Sequence, residues 1–127
     1  MAKFKILVVE DEKDAREIFI DILTSAGYDV VGATQGEEAL EKLQQDKFDL
    51  VYLDIIMPIR DGIQTLAEIK KFAGKYGDMK IIMLTNIGGD LAIEKALKLG
   101  ADGYLLKSET EPNNLVSVTQ KYLPLAA

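Results

Sequence analysis

The chain has no cysteine and no histidine. The first absence excludes disulfides and thiolate metal sites. The second means that any imidazole in its chemistry must come from a partner. No apolar run reaches the length of a signal peptide or a membrane span, so a cytoplasmic location and no membrane partner are expected. Basic residues are in the minority: 15 Lys and Arg stand against 21 Asp and Glu, for a net charge of −6. A nucleic-acid surface would show a basic patch or stripe, and direct nucleic-acid binding is not expected. There is no internal repeat, no low-complexity stretch and no interdomain linker. What is present is a 127-residue chain, 48% hydrophobic and 28% charged, which is the balance of one globular domain with a real core.

Four short apolar runs organise it. Ile6 to Val9 leads into Glu10 and Asp11, Leu50 to Leu53 into Asp54, Ile81 to Leu84 into Thr85, and Tyr104 to Leu106 into Lys107. Uninterrupted apolar runs read as parallel strands whose two faces are both covered by helices. Val30-Val31 is a further short strand. Helical spacing fills the intervals. It runs over Lys13 to Ala26, with Ala15, Ile18, Phe19, Ile22, Leu23 and Ala26 on one side and Gly27 as the C-terminal cap. It returns over Gly36 to Lys47, through Ala39, Leu40 and Leu43, and from Gly62 to a stop before Gly74, through Ile63, Leu66, Ala67 and Ile69. A fourth helix spans Asp90 to Leu99. A fifth opens at Pro112 and ends before Pro124. Five strands alternating with five helices predict an α/β fold, a doubly wound five-stranded parallel sheet of flavodoxin-like type. Right-handed crossovers and the strand order 2-1-3-4-5, inferred from that fold type, put the first and third strands at the switch point.

Ligand sites in such sheets lie at the carboxyl ends of the strands. Three carboxylates (Glu10, Asp11, Asp54), one hydroxyl (Thr85) and one ammonium (Lys107) should therefore converge at one edge. Carboxylates that close raise one another's pKa or repel unless a cation neutralises them. An oxygen-only ligand set suits Mg²⁺. Each residue also has a plain structural reading. Glu10-Asp11 can cap the next helix and favour its dipole, and Asp54 can be a turn residue before the Pro58 loop. Thr85 can finish a strand, and Lys107 can be a solvated rim charge. As a set they supply what a phosphorylated carboxylate requires: a point positive charge, a hydroxyl donor and a metal.

Leu7-Val8-Val9-Glu10-Asp11-Glu12, Leu53-Asp54-Ile55-Ile56-Met57-Pro58 with Gly62, Leu84-Thr85, and Gly100 to Lys107 together resemble the receiver domain of bacterial response regulators over essentially the whole chain. The resemblance implies a single receiver domain over residues 1–127 with no effector domain in this chain, a monomer or weak dimer. It implies that Asp54 accepts a phosphoryl group from a histidine kinase or histidine phosphotransfer protein. It also implies Mg²⁺ held by Asp11, Asp54 and the backbone carbonyl of Ile56, with Glu10 acting mainly through water. Thr85 and Tyr104 match the family's switch pair, which would reshape the surface of the fourth helix, fifth strand and fifth helix for a downstream protein. Lys107 matches its phosphate-pairing lysine. Tyr104 on an edge strand also has a plain packing role.

The chain departs from the family pattern at Ser108, where proline is usual, and at Asn86, where a smaller residue is common. It also departs at Ile56 and Ile87, which cannot orient a hydrolytic water. Gly103 stands where many DNA-binding relatives carry a second acid, and the last helix lacks an arginine, so their charged dimer face is not expected. Other functions fit less well. A haloacid-dehalogenase-type phosphatase needs an aspartate two residues after its nucleophile, where Ile56 stands. A flavodoxin-like FMN site would place phosphate against Glu10-Asp11-Glu12, which repel it. An adaptor without phosphorylation has no use for the set Asp11, Asp54, Thr85 and Lys107. The expectation is a phosphoacceptor signalling domain, not an enzyme.

Overall fold

β1 (Lys5–Val9), β2 (Asp29–Ala33), β3 (Leu50–Asp54), β4 (Lys80–Thr85) and β5 (Gly103–Leu106) form one sheet in the order β2-β1-β3-β4-β5. Every neighbouring pair is parallel. The structure is a computed structural model and describes residues 3–57, 61–86 and 90–124. The connecting helices are α1 (Lys13–Ser25), α2 (Gly36–Gln45), α3 (Gly62–Lys71), α4 (Asp90–Leu99) and α5 (Pro112–Tyr122).

The continuous apolar runs pack on both faces, as a buried parallel strand must. On one face Leu7, Val9, Val51, Leu53, Ile81 and Met83 meet Ala39, Leu40, Leu66, Ile69 and Ala96 of α2, α3 and α4. On the other, Ile6, Val8, Leu50, Tyr52, Ile82 and Leu84 meet Phe19 and Leu23 of α1 and Leu115 of α5. The strand order reverses between β1 and β3, so Glu10, Asp11 and Asp54 leave adjacent strands at the same edge.

Four elements differ from expectation. β2 is longer than Val30-Val31, because the register Lys5↔Asp29 to Val9↔Ala33 draws Asp29, Gly32 and Ala33 into the ladder. β4 runs on to Thr85, which pairs with Leu106. After α3, Ala73–Tyr76 forms a separate helical turn. There the buried Tyr76 ring anchors a segment whose glycines point to a loop. A 3₁₀ turn over Lys107–Glu109 also follows β5 directly.

Two buried tyrosines tie α5 and the segment after it to the rest of the fold. The Tyr52 hydroxyl lies 2.6 Å from Thr119 Oγ1, whose own proton goes to the Leu115 carbonyl, and Tyr28 donates to the Leu123 carbonyl at 2.7 Å. Burial pushes the Tyr52 phenol up to about 12, against the smaller opposing effect of its Thr119 hydrogen bond. A folded-state pKa above the unfolded one means the native protein holds this proton more tightly. The associated stability, on the order of 2 kcal/mol, is complete below about pH 10 and is lost as pH rises toward 12. Tyrosinate absorbance should therefore lag behind model tyrosine and rise together with unfolding. A Tyr52→Phe variant should keep its stability further into that window. Independent ionisation of all five tyrosines near pH 10 would refute it.

Candidate functional site

Glu10, just past β1, and Asp54, the last residue of β3, have side chains almost fully buried, at 1% and 3% exposure, while Asp11 in the following turn is exposed. One carboxylate oxygen from each of the three lies within 4.8 Å of the others. Lys107, one residue past β5, reaches across to them: its ammonium donates to Asp54 Oδ2 at 2.8 Å and to Glu10 Oε1 at 2.9 Å. The Ile56 amide donates to the other Asp54 oxygen at 3.3 Å. The Ile56 side chain itself projects outward, 71% exposed.

Burial raises the Glu10 pKa most, and the neighbouring Asp54 carboxylate adds to it, while Lys107 opposes both. Burial would by itself depress the Lys107 ammonium, but its hydrogen bonds to Asp54 and Glu10 outweigh that and leave its pKa raised. The lysine is thus an internal counter-ion to the two buried carboxylates. Removing it should therefore disturb the fold itself. Lys107→Met should leave two buried carboxylates uncompensated, a situation that costs several kcal/mol when complete. With the Lys107 side chain 25% exposed, about 2 kcal/mol is expected at neutral pH. The variant's Glu10 would have a still higher folded pKa, so its deficit should shrink as pH falls and Glu10 protonates, and grow as pH rises. Denaturation curves across acid to neutral pH measure this. A deficit independent of pH would make Lys107 a packing residue only.

The ammonium does not satisfy the whole site. Among the described residues, Glu10 Oε2 is a buried polar atom without a hydrogen-bond partner, a situation that calls for a further cation or donor. Oxygen-only donors, two of them buried and one open to solvent, fit a hard divalent ion.

Among the described residues, Thr85 and Tyr104, the expected switch pair, make no hydrogen bond to this cluster. Thr85 is buried and its hydroxyl donates to the Asn86 carbonyl at 3.1 Å. Tyr104 pairs with Met83, not with Thr85, and is half exposed. Asn86 itself is exposed. No cis peptide occurs among the described residues, and Lys107–Ser108 is trans. Ile87 and Pro58 lie outside the described residues. A Cβ on Gly103 would come within 2.8 Å of the Tyr122 hydroxyl, so a larger residue there requires the tip of that side chain to shift.

Two supports of the site escape a reading of the strand ends. Asp61 caps α3 by accepting from the Gln64 amide at 2.8 Å, and Gln64 returns a bond to the Asp61 amide at 3.0 Å. The Asp-x-x-Gln spacing of this capping box was available as a signal. The Arg16 guanidinium donates to the Glu10 carbonyl at 2.8 Å, and an arginine within an amphipathic helix carries no such signal.

The family model for the response regulator receiver domain matches residues 6–120. The chain belongs to the response regulator receiver domain family. This receiver is 40% identical over 120 residues to the chemotaxis protein CheY of Halobacterium salinarum, spanning 94% of this chain and 96% of that protein. It is 44% identical over 105 residues to a probable transcriptional regulator, ycf27, of Guillardia theta, spanning 83% of this chain but only 40% of that longer protein. Among solved structures, the Vibrio cholerae chemotaxis protein CheY4 superimposes with a TM-score of 0.87 at 30% identity, covering 95% of the receiver and 99% of that chain. The parallel sheet order and two-sided helical cover are those of a CheY-like receiver. No helix of the described residues is long and apolar enough to cross a membrane.

Proposed function

We propose that this receiver takes a phosphoryl group onto Asp54 from a phosphohistidine on a histidine kinase or histidine phosphotransfer protein. It then signals to a downstream protein through the α4-β5-α5 surface. The observation that carries the reading is the convergence of Lys107, Glu10, Asp11 and Asp54 at the switch-point edge. An Asp54 oxygen attacks phosphorus and the new O–P bond forms as the P–N bond breaks. The bonding pair passes to the imidazole nitrogen, which takes a proton from solvent. Lys107 lies where it can follow the negative charge from the Asp54 carboxylate onto the phosphoryl oxygens, a preorganised electrostatic contribution. The Thr85 hydroxyl would leave the Asn86 carbonyl to donate to the same oxygens, and Tyr104 would turn into the space released. Asp11, Asp54 and the Ile56 carbonyl would hold Mg²⁺ directly, with Glu10 acting through water. Bound there, the ion supplies positive charge opposite the phosphoryl oxygens. The receiver acts in this reading as a phosphoacceptor that assists its own modification, with no external substrate turned over.

Acetyl phosphate with Mg²⁺ should add one phosphoryl mass to the protein, labile to hydroxylamine and abolished by a chelator. Asp11→Ala should weaken Mg²⁺ binding in a calorimetric titration and slow phosphorylation with it, while relief of carboxylate repulsion raises metal-free stability. Phosphorylation that survives chelation, or unchanged Mg²⁺ affinity in Asp11→Ala, would defeat the metal assignment.

A further inference from the structure

Lys107 holds the Glu10 carboxylate, whereas Asp11 is exposed, so where its carboxylate points depends on the backbone of the turn that carries both residues. The turn from β1 into α1 has little local support. Glu12, at the N-cap of α1, makes no capping hydrogen bond with its side chain. The Glu10 amide is held from one side, donating to the Ala33 carbonyl of β2 at 3.0 Å. The Glu10 carbonyl is held from the other by Arg16 Nη1 at 2.8 Å, and the same nitrogen lies 3.5 Å from the Asp11 carbonyl. Arg16 reaches back along the edge of the sheet to do this, and Gly32 leaves it room. A Cβ at Gly32 would lie 2.9 Å from Ile20 Cδ1 and 3.2 and 3.4 Å from Arg16 Cδ and Cγ. Gly32 is not among the positive-φ glycines, so space, not backbone conformation, distinguishes it here.

We propose that Arg16, lying over Gly32, is a positioning residue that fixes the Glu10–Asp11 carboxylates for divalent-cation binding. The inference rests on the metal site under Proposed function and adds a residue to it. Groups that orient metal ligands from outside the coordination sphere typically change affinity by about 10- to 100-fold when removed. Electrostatics gives this claim a sign. A guanidinium beside a cation site repels the second cation, so a residue acting through its charge would, when neutralised, leave Mg²⁺ bound more tightly. A residue acting through position would leave it bound more weakly, despite the lost repulsion. Both contacts come from one guanidinium nitrogen, whose N–H directions are fixed by the planar group; a lysine ammonium keeps the charge but not that fixed direction.

The test is calorimetric titration of Mg²⁺ into the unphosphorylated full chain, with circular dichroism to confirm folding. Arg16→Met and Arg16→Lys should each weaken Mg²⁺ binding about tenfold. Gly32→Ala, which alters no charge, should weaken it severalfold by displacing the arginine stem. In an Asp11→Ala background, Arg16→Met should add little further loss. Equal or tighter Mg²⁺ binding in folded Arg16→Met overturns the inference. If that variant does not fold, unchanged affinity in Gly32→Ala and Arg16→Lys overturns it instead. A wild-type chain that binds no Mg²⁺ refutes the metal reading itself, and this inference with it, an outcome distinct from wild-type binding that the variants merely match.

Discussion

Asp54→Asn is expected to reduce acyl phosphate formation to background. The substitution keeps the shape of the side chain and leaves an oxygen for the Lys107 ammonium, now 2.8 Å from Asp54 Oδ2. It removes the anionic oxygen proposed to attack phosphorus, and a neutral amide is not a nucleophile for such a transfer. It also removes one of two buried carboxylates that share a single lysine. Metal-free stability should therefore rise by about 1 kcal/mol, not fall. Loss of labelling together with a maintained or raised melting temperature separates a lost nucleophile from a lost fold. The assay is hydroxylamine-sensitive incorporation from acetyl phosphate, followed by mass. A variant labelled as well as the wild type would move the acceptor to another carboxylate, with Asp11 the first to test.

Gly62→Ala is expected to be nearly as damaging, although Gly62 carries no functional group. Its amide donates to the Ile55 carbonyl at 2.7 Å, folding the start of α3 tightly against the end of β3. A Cβ there would lie 2.1 Å from the Asp54 carbonyl oxygen, 2.8 Å from Ile55 Cα and 2.9 Å from the Asp54 carbonyl carbon. All three are backbone atoms and cannot rotate away. Either the Asp61–Gln64 capping box opens or the peptide bearing Asp54 moves. Overpacking of this kind costs about 1–3 kcal/mol, occasionally more, and displacing a reacting group by about 1 Å can cost on the order of a hundredfold in rate. Denaturant unfolding and the rate of phosphorylation should therefore both suffer, with phosphorylation slowed about a hundredfold. A Gly62→Ala protein of wild-type stability and wild-type rate would mean that this close approach does not hold the acceptor in place.

β1, β3 and β4 were readable in the chain because burial on both faces demands uninterrupted apolar residues, a local signature. Their polar ends at Glu10-Asp11, Asp54 and Thr85 located the edge on which chemistry converges. The helices α1 to α5 were readable from spacing and terminal Gly and Pro, to within a few residues. The full extent of β2 was not, since Asp29 and Gly32 are strand residues only because β1 lies beside them. Nor was the helical turn Ala73–Tyr76, which a buried ring and not its composition supports.

The deepest difference concerns Lys107. Its position after an apolar run marked it as a partner for phosphate, but its pairing joins residues 53 and 97 positions apart in the chain. No periodicity carries such a contact. The same holds for Arg16, whose role depends on the direction in which α1 leaves the sheet and on a missing side chain at Gly32 across the β1–β2 pair. Residue types and their order along the chain specify which chemistry is available, because hydrophobic patterning and strand-end polarity are local. Which carboxylate is already neutralised, which oxygen still lacks a partner and which backbone holds the acid turn depend on contacts between distant segments, and those exist only once the sheet has closed around them.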